Sequence, residues 1–187
     1  MNLLCKSQTD TRKADEYAMS EDFCRLFKED AEGLYLLSYM LMADHEKAER
    51  CFVGGLEDSV SGNSVYKQWA RSWARRRIIQ CAIRTILPGL QHADDELNVE
   101  AESEGNPALA AILHLAALER FVFVMSVLEG YSDQECSILL GCSRGEVITA
   151  RTQALRRLSK LDAELDADHV LPFADAALHP VTKTQTL

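Results

Sequence analysis

The segment YSDQECSILLGCSRGEVITARTQALRRL, residues 131–158, constrains the fold of this chain more than any other part of it. It carries one start signal twice. Ser132 stands three residues before Glu135, and Ser143 stands three residues before Glu146. In such a capping box the serine hydroxyl accepts from the third helical amide, while the glutamate reaches back to the serine's own amide. Gly130 lies just ahead of the first box and Gly141 just ahead of the second. Glycine in those places suits the left-handed residue that ends a helix. The apolar spacing agrees with two short helices. Cys136, Leu139 and Leu140 form the inner face of the first. Val147, Ala150, Ala154 and Leu158 form that of the second, and Ile148 and Leu155 extend the arc on one side.

Two capped helices joined by Gly141, Cys142 and Ser143 make a helix-turn-helix, the arrangement that lays its second helix in a DNA major groove. Thr149 and Arg156 point away from the apolar arc, flanked by Glu146, Thr152, Gln153 and Arg157. Hydroxyls, an amide and guanidinium groups reach phosphates and base edges. Arg151 falls inside the arc, where it must snorkel or pair with a carboxylate. The same pattern also suits a bundle corner with a solvated outer face.

That segment belongs to an acidic molecule. The chain has 187 residues, a formal net charge of -9 and 47% hydrophobic residues, enough to bury a core. The charge comes in blocks. Lys67, Arg71, Arg75, Arg76, Arg77 and Arg84 follow one another with no Asp or Glu between them. Asp94, Asp95, Glu96, Glu100, Glu102 and Glu104 come next, and the end of the chain is acidic again. A negative total therefore does not exclude a polyanion partner, but it makes long-range attraction to DNA weak. Some of these six basic residues, which have no acidic relief along the chain, are expected to face a polyanion or an acidic protein surface.

An all-α fold follows from sparse glycine and proline, abundant helix formers and no strand alternation. Residues 1–20 are polar and expected to fray. Ser20 is placed as an N-cap, with Phe23, Leu26 and Phe27 on one face. Residues 34–42 are apolar nearly all round, as in a helix buried among others. Asp44 is placed as the next cap, for a helix ending near Gly54 and Gly55. Residues 65–87 form a third long helix, stopped by Pro88 and Gly89. The expected organisation is two small helical domains, 20–90 and 108–162, joined by an acidic linker, 91–107, with a tail at 163–187. Residues 121–128 are β-prone but sit between helical patterns and are kept helical.

In the third helix Ala70, Ala74, Ile78, Cys81 and Ala82 make an apolar side. Trp69 and Trp73 share the other with Arg76, Arg77 and Gln80. Aromatic faces beside cations suit single-stranded DNA, at roughly 1–3 kcal/mol per stacked base. Equally, tryptophans at helical spacing belong to a core. His45, His92, His114, His169 and His179 are scattered, with no partner arranged for nucleophilic attack, so no enzyme is expected. His114 is read as a packing residue. The six cysteines lack metal spacing, so no metal and no cofactor is expected, and buried inert thiols are the plain reading. The opening MNLLCKSQTDTRK lacks a sustained apolar core, and no run approaches the roughly 20 residues that span a bilayer. A reducing, cytoplasmic setting without membrane insertion is the expectation.

LEGYSDQECSILLGCSRGEVITARTQALRRL, residues 128–158, resembles the C-terminal domain of bacterial sigma-70 family factors, most closely the small extracytoplasmic-function type. The turn after Leu128, the helix ending at Leu140-Gly141 and the Cys142-Ser143 cap carry the resemblance. LYLLSYMLMADHEKAER and WARSWARRRIIQ are similar, more loosely, to the family's N-terminal domain. The resemblance implies core RNA polymerase and double-stranded promoter DNA as partners, with an anti-sigma factor as antagonist. It implies that Ser143, Arg144, Glu146, Thr149, Thr152, Gln153, Arg156 and Arg157 meet the upstream promoter element. Trp69, Trp73, Arg76, Arg77 and Gln80 would meet the downstream one, and Asp44, Ala48, Glu49 and Phe52 would dock on the polymerase clamp. The chain departs from the family at Ile148, Ala150, Gln153 and Leu155, where the family places lysine or arginine. It departs again at Arg50, Phe52 and Val53 before Gly54-Gly55. Each lost cation removes a phosphate contact. A protein-interaction module that keeps the fold without reading promoters is the alternative function.

Overall fold

The computed structural model describes residues 16–62, 64–90 and 106–169. Among these the chain is helical, and its β pairing is one isolated antiparallel bridge, Tyr17 to Tyr66. The elements are α1 Ser20–Glu29, α2 Ala31–Met42, α3 His45–Val60, a 3-10 turn Lys67–Trp69 and α4 Ala70–Leu90. After residue 105 come α5 Pro107–Leu113, α6 Ala117–Phe123 with a π-helical end Val124–Leu128, α7 Asp133–Leu140 and α8 Arg144–His169.

Several boundaries differ from the sequence expectation, each for a local reason. Ser20 is the first residue of α1 and not its cap: Asp22 Oδ2 accepts from the Met19 amide at 3.0 Å and closes the helix start. The chain is pinned before residue 20, because the Ala18 amide donates to Val65 O at 2.7 Å and Tyr17 stacks on Tyr66 at 4.5 Å. Residues 1–15 lie outside the described residues. That same pairing keeps Val65 and Tyr66 extended, so the third helix begins at Ala70, after the 3-10 turn. It then runs through Pro88 and Gly89 to Leu90. Proline lacks one amide donor, which forfeits a single bond in the last turn and does not stop the helix there.

Asp44 caps α3 as expected, accepting from the Lys47 amide at 2.7 Å. Gly54 and Gly55 do not end that helix. A Cβ on Gly55 would come within 2.5 Å of Ile78 Cγ1, and one on Gly54 within 2.8 Å of Cys81 Sγ. The two glycines thus serve a close helix crossing of α3 on α4 and not a turn. Residues 91–105, most of the expected linker, lie outside the described residues. Asn106 caps α5, accepting from the Leu109 amide at 3.1 Å, with Pro107 in the first helical turn. His114 is the exposed C-cap of α5 and not a packing residue. At the far end α8 continues to His169, into the stretch expected to be a tail.

The core is continuous from one half to the other. Leu34, Leu37, Leu41, Ile78 and Ile79 are buried in one cluster with Leu113, Phe121, Met125 and Val147. Burying side chains of this size contributes about 1.5–3 kcal/mol each. Ala18, Phe23 and Ala70 form a smaller cluster beside the start of α4.

One buried cation stitches the halves. Arg120, only 5% exposed, donates from Nε to Leu41 O at 3.3 Å, and from Nη1 to Leu113 O at 3.2 Å and Leu115 O at 3.0 Å. Leu41 lies at the end of α2 and Leu113 at the end of α5, where helical carbonyls lack amide partners. A guanidinium is a fixed fork of donors, and here it serves both helix ends at once.

Candidate nucleic-acid interface

The helix-turn-helix forms as its capping signals require. Ser132 and Glu135 close the first box, with the Ser132 amide donating to Glu135 Oε2 at 2.9 Å and the Glu135 amide to Ser132 Oγ at 3.3 Å. The second is equivalent: Ser143 N donates to Glu146 Oε2 at 2.8 Å and Glu146 N to Ser143 Oγ at 3.2 Å. These bonds favour the ionised glutamates. The Ser132 amide holds Glu135 below the usual carboxylate range, and the Ser143 hydroxyl and amide do the same for Glu146. Gly130 at φ 73° and Gly141 at φ 67° occupy the left-handed region, as helix-ending glycines should.

The inner arc of α8 is Val147, Ala150 and Ala154, all buried, with Leu158 partly so. Ile148 and Leu155 do not extend it; they are 45% and 46% exposed. They lie just past the edge of what α6 and α7 cover, on the flank of the outer stripe. Ser143, Arg144, Glu146, Thr149, Thr152, Gln153 and Arg156 are all exposed on that stripe. The threonine hydroxyls already donate within the helix, Thr149 to Gly145 O at 2.8 Å and Thr152 to Ile148 O at 2.7 Å. In that state they present only acceptor lone pairs, which suit an exocyclic amino group and not a phosphate. Arg151 resolves its odd position by a two-pronged pair with Asp133 of α7. Arg157 reaches back as well: its Nη1 lies 3.2 Å from Glu119 Oε2, off hydrogen-bond geometry, and Glu119 is buried.

The basic run from the 3-10 turn into α4 has its acidic relief after all, from carboxylates distant in sequence. Lys67 pairs with Asp22 at 3.6 Å, Arg71 with Asp30 at 3.4 Å, Arg84 with Asp58, and Arg75 through two bonds with Glu129. The acidic surface expected to face these cations is the chain's own. Arg76 stays exposed, without a carboxylate partner among the described residues. The two tryptophans separate in role. Trp69 belongs to the 3-10 turn, is 54% exposed and stands edge-on to Tyr66. Trp73 is half-buried, and Arg77 lies 4.4 Å over its ring, so that face is covered. Gln80, also half-buried, accepts from Arg77 at 3.1 Å. Between α4 and the turn before α7 opens a cleft of about 500 Å³ lined by Val65, Trp69, Trp73, Arg76, Glu129 and Tyr131.

The third group of residues is only partly available. Ala48 is fully buried and offers no surface, because it faces the core against which α3 packs. Phe52 packs edge-on against Phe27 and Tyr35. Asp44 is engaged as the cap, and Glu49 alone of the four is freely exposed. Val53, named from sequence as a departure on this docking stretch, is 50% exposed on the same helix. Ile138, 68% exposed on α7, was missed, since its position falls outside both the polar stripe and the apolar arc. Among the described residues no group of three or more His, Cys, Asp and Glu could hold a metal ion, and no helix is long and apolar enough to cross a membrane.

Comparison with known proteins agrees with this geometry. Residues 106–158, from the Asn106 cap through Leu158, match the family model described as Sigma-70, region 4. No curated protein matches the chain. A solved structure of the sigma factor RpoE in complex with the anti-sigma factor NepR, from Bartonella quintana, is similar at 20% identity and a TM-score of 0.44. The match covers 76% of this chain and 98% of that one. The helix-turn-helix segment, residues 106–158, is thus similar to sigma-70 region 4.

Proposed function

We propose that this chain acts as a sigma factor of the extracytoplasmic-function type, binding core RNA polymerase and promoter DNA. The observation that carries this reading is the outer stripe of α8. Arg144, Thr149, Gln153 and Arg156 stand exposed on a helix launched by its own capping box, inside the segment that matches region 4. Exposed Trp69 and Arg76 on the other half support contact with an opened strand. Polymerase answers the charge problem, because a tethered domain acts at high effective concentration without long-range attraction.

A second reading rests on a specific observation. Ile148 and Leu155 expose aliphatic surface beside the stripe, where a phosphate-facing helix gains from cations. That flank suits a protein partner, and an anti-sigma factor is the class such a domain meets. The chain would then keep the fold and engage a regulator or polymerase without reading promoters. Mixing the purified chain with core polymerase separates the two. A complex that starts transcription from selected promoters supports the first reading. A complex without promoter-dependent transcript supports the second, and no complex at any salt concentration removes the first.

A further inference from the structure

Two cysteines meet where α3 crosses α4. The Cys51 thiol donates to Ile78 O at 3.4 Å, and Ile78 stands one turn before Cys81 on α4. Gly54 stands one turn after Cys51 on α3, and a Cβ there would lie 2.8 Å from Cys81 Sγ. Each thiol thus lies against the residue one turn from the other cysteine, and the two titrate as neighbours. A disulfide needs Cα atoms within about 7 Å. The glycine-thinned crossing, which leaves no room for a Cβ between Gly55 and Ile78, brings the two helices close about one turn from each cysteine.

The pair is also graded in access. Cys51 is 2% exposed, whereas Cys81 is partly open to solvent. Arg84, anchored by Asp58, stands one turn on from Cys81 along α4 and brings its charge to that thiol. We propose that Cys51 and Cys81 form a redox-modification site, at which a hydroperoxide converts the two thiols into a disulfide tying α3 to α4.

The chemistry closes. The Cys81 thiolate attacks one peroxide oxygen, so that an S–O bond forms and the O–O bond breaks. Cys81 becomes a sulfenic acid, and the departing oxygen takes a proton to leave as water or an alcohol. Cys51 sulfur then attacks Cys81 sulfur; the S–S bond forms, the S–O bond breaks, and hydroxide leaves with the Cys51 proton as water. The two electrons lost by the thiols are those gained by the peroxide. Each cysteine suits its part. The hydrogen bond from Cys51, then Arg84, holds Cys81 below the usual thiol range and enlarges its thiolate share. Hydrogen bonding to Cys81 and burial push Cys51 up, so it keeps its proton until the second step. Cys136, pushed up to about 11 by burial, and Cys142, raised for the same reason, lack these features. This inference does not depend on the proposed function.

The test uses the full reduced chain, treated with hydrogen peroxide, then unfolded, alkylated and mapped by mass spectrometry. Cys51 and Cys81 should lose alkylation together, as one linked peptide within a single chain, and dithiothreitol should restore both. In Cys51→Ala the sulfenic acid at Cys81 should persist and be trapped by dimedone, and in Cys81→Ser the peroxide-dependent loss at Cys51 should vanish. Circular dichroism checks that both variants fold, and the wild-type map decides the matter if either does not. Full alkylation of Cys51 and Cys81 after peroxide has oxidised exposed Cys24 overturns the proposal. Pairing of Cys81 with Cys24 or with another chain overturns it as well.

Discussion

Replacing Arg120 by methionine tests whether the two halves are held by a buried cation or merely lie together. The side chain is 5% exposed and meets three carbonyls, those of Leu41, Leu113 and Leu115. Bonds to a charged donor contribute about 1.5–3 kcal/mol each, so the three supply roughly 4–9 kcal/mol. Against this stands desolvation, which lowers the guanidinium from its ordinary value to about 10. That drop corresponds to about 3 kcal/mol against the charged form. Methionine recovers the desolvation term and keeps apolar volume, but leaves the helix-end carbonyls without partners. The expected net loss is about 2–4 kcal/mol. Urea unfolding followed by circular dichroism should show a lower midpoint with an unchanged slope. Arg120→Lys should fall between, because one ammonium cannot span three carbonyls in the geometry of a planar fork. Arg156→Met, on the exposed outer stripe, is the control and should stay within about 0.5 kcal/mol. If Arg120→Met is as stable as the control, the three bonds add nothing beyond their desolvation, and the stitch is a passive contact.

Gly55→Ala should destabilise by about 1–3 kcal/mol or more, read by the same unfolding assay, because its Cβ would press on both the side chain and the backbone of Ile78. Gly141→Ala meets no neighbour within 4 Å, so its cost should come from φ 67° alone, about 1 kcal/mol, and thermal unfolding should show the smaller effect. The capping glutamates should titrate low in an NMR experiment on the folded chain. Because Glu135 and Glu146 are depressed by their serine partners, the stability they lend is present above the ordinary carboxylate range and is lost as pH falls through their folded values. Ser143→Ala should move the Glu146 midpoint upward and leave that of Glu135 in place.

The helix-turn-helix was legible because its signals are local. Each serine-to-glutamate pair spans three residues and each glycine fixes its own φ, so Ser132, Glu135, Gly141, Ser143 and Glu146 need no distant partner to act. What the sequence hid was long-range. Gly54 and Gly55 read as a helix end, since nothing along the chain reveals that α4 crosses there. The basic run from Lys67 to Arg84 read as a surface awaiting a polyanion, since Asp22, Asp30, Asp58 and Glu129 approach only in the fold. Ile148 and Leu155 read as core because a helical wheel gives their direction but not the width of the covering helices. Arg120 carried no signal at all, being a lone basic residue in an apolar stretch.

These pairings set how strongly α8 alone can hold DNA. Arg151 is tied to Asp133 and Arg157 is drawn toward Glu119. Arg144 and Arg156 remain exposed on this helix without a carboxylate partner among the residues whose side chains are described, and Lys160 is exposed as well. Each phosphate neutralised on a duplex contributes about -0.9 to the slope of log affinity against log salt, so two or three contacts give a slope of about -2 to -3. Such binding is weak at physiological salt, and the net charge of -9 weakens the approach further. Promoter contact on the proposed reading therefore depends on delivery by polymerase. Fluorescence anisotropy with a labelled duplex over a salt series measures the slope directly, and Arg156→Ala should make it shallower by about one contact. A slope steeper than about -5 would require cations now held by Asp133, Glu119, Glu129 or Asp30 to leave their partners. The ion pairs that join the fold would then be a reserve for DNA, and the clasped arrangement would have to open on binding.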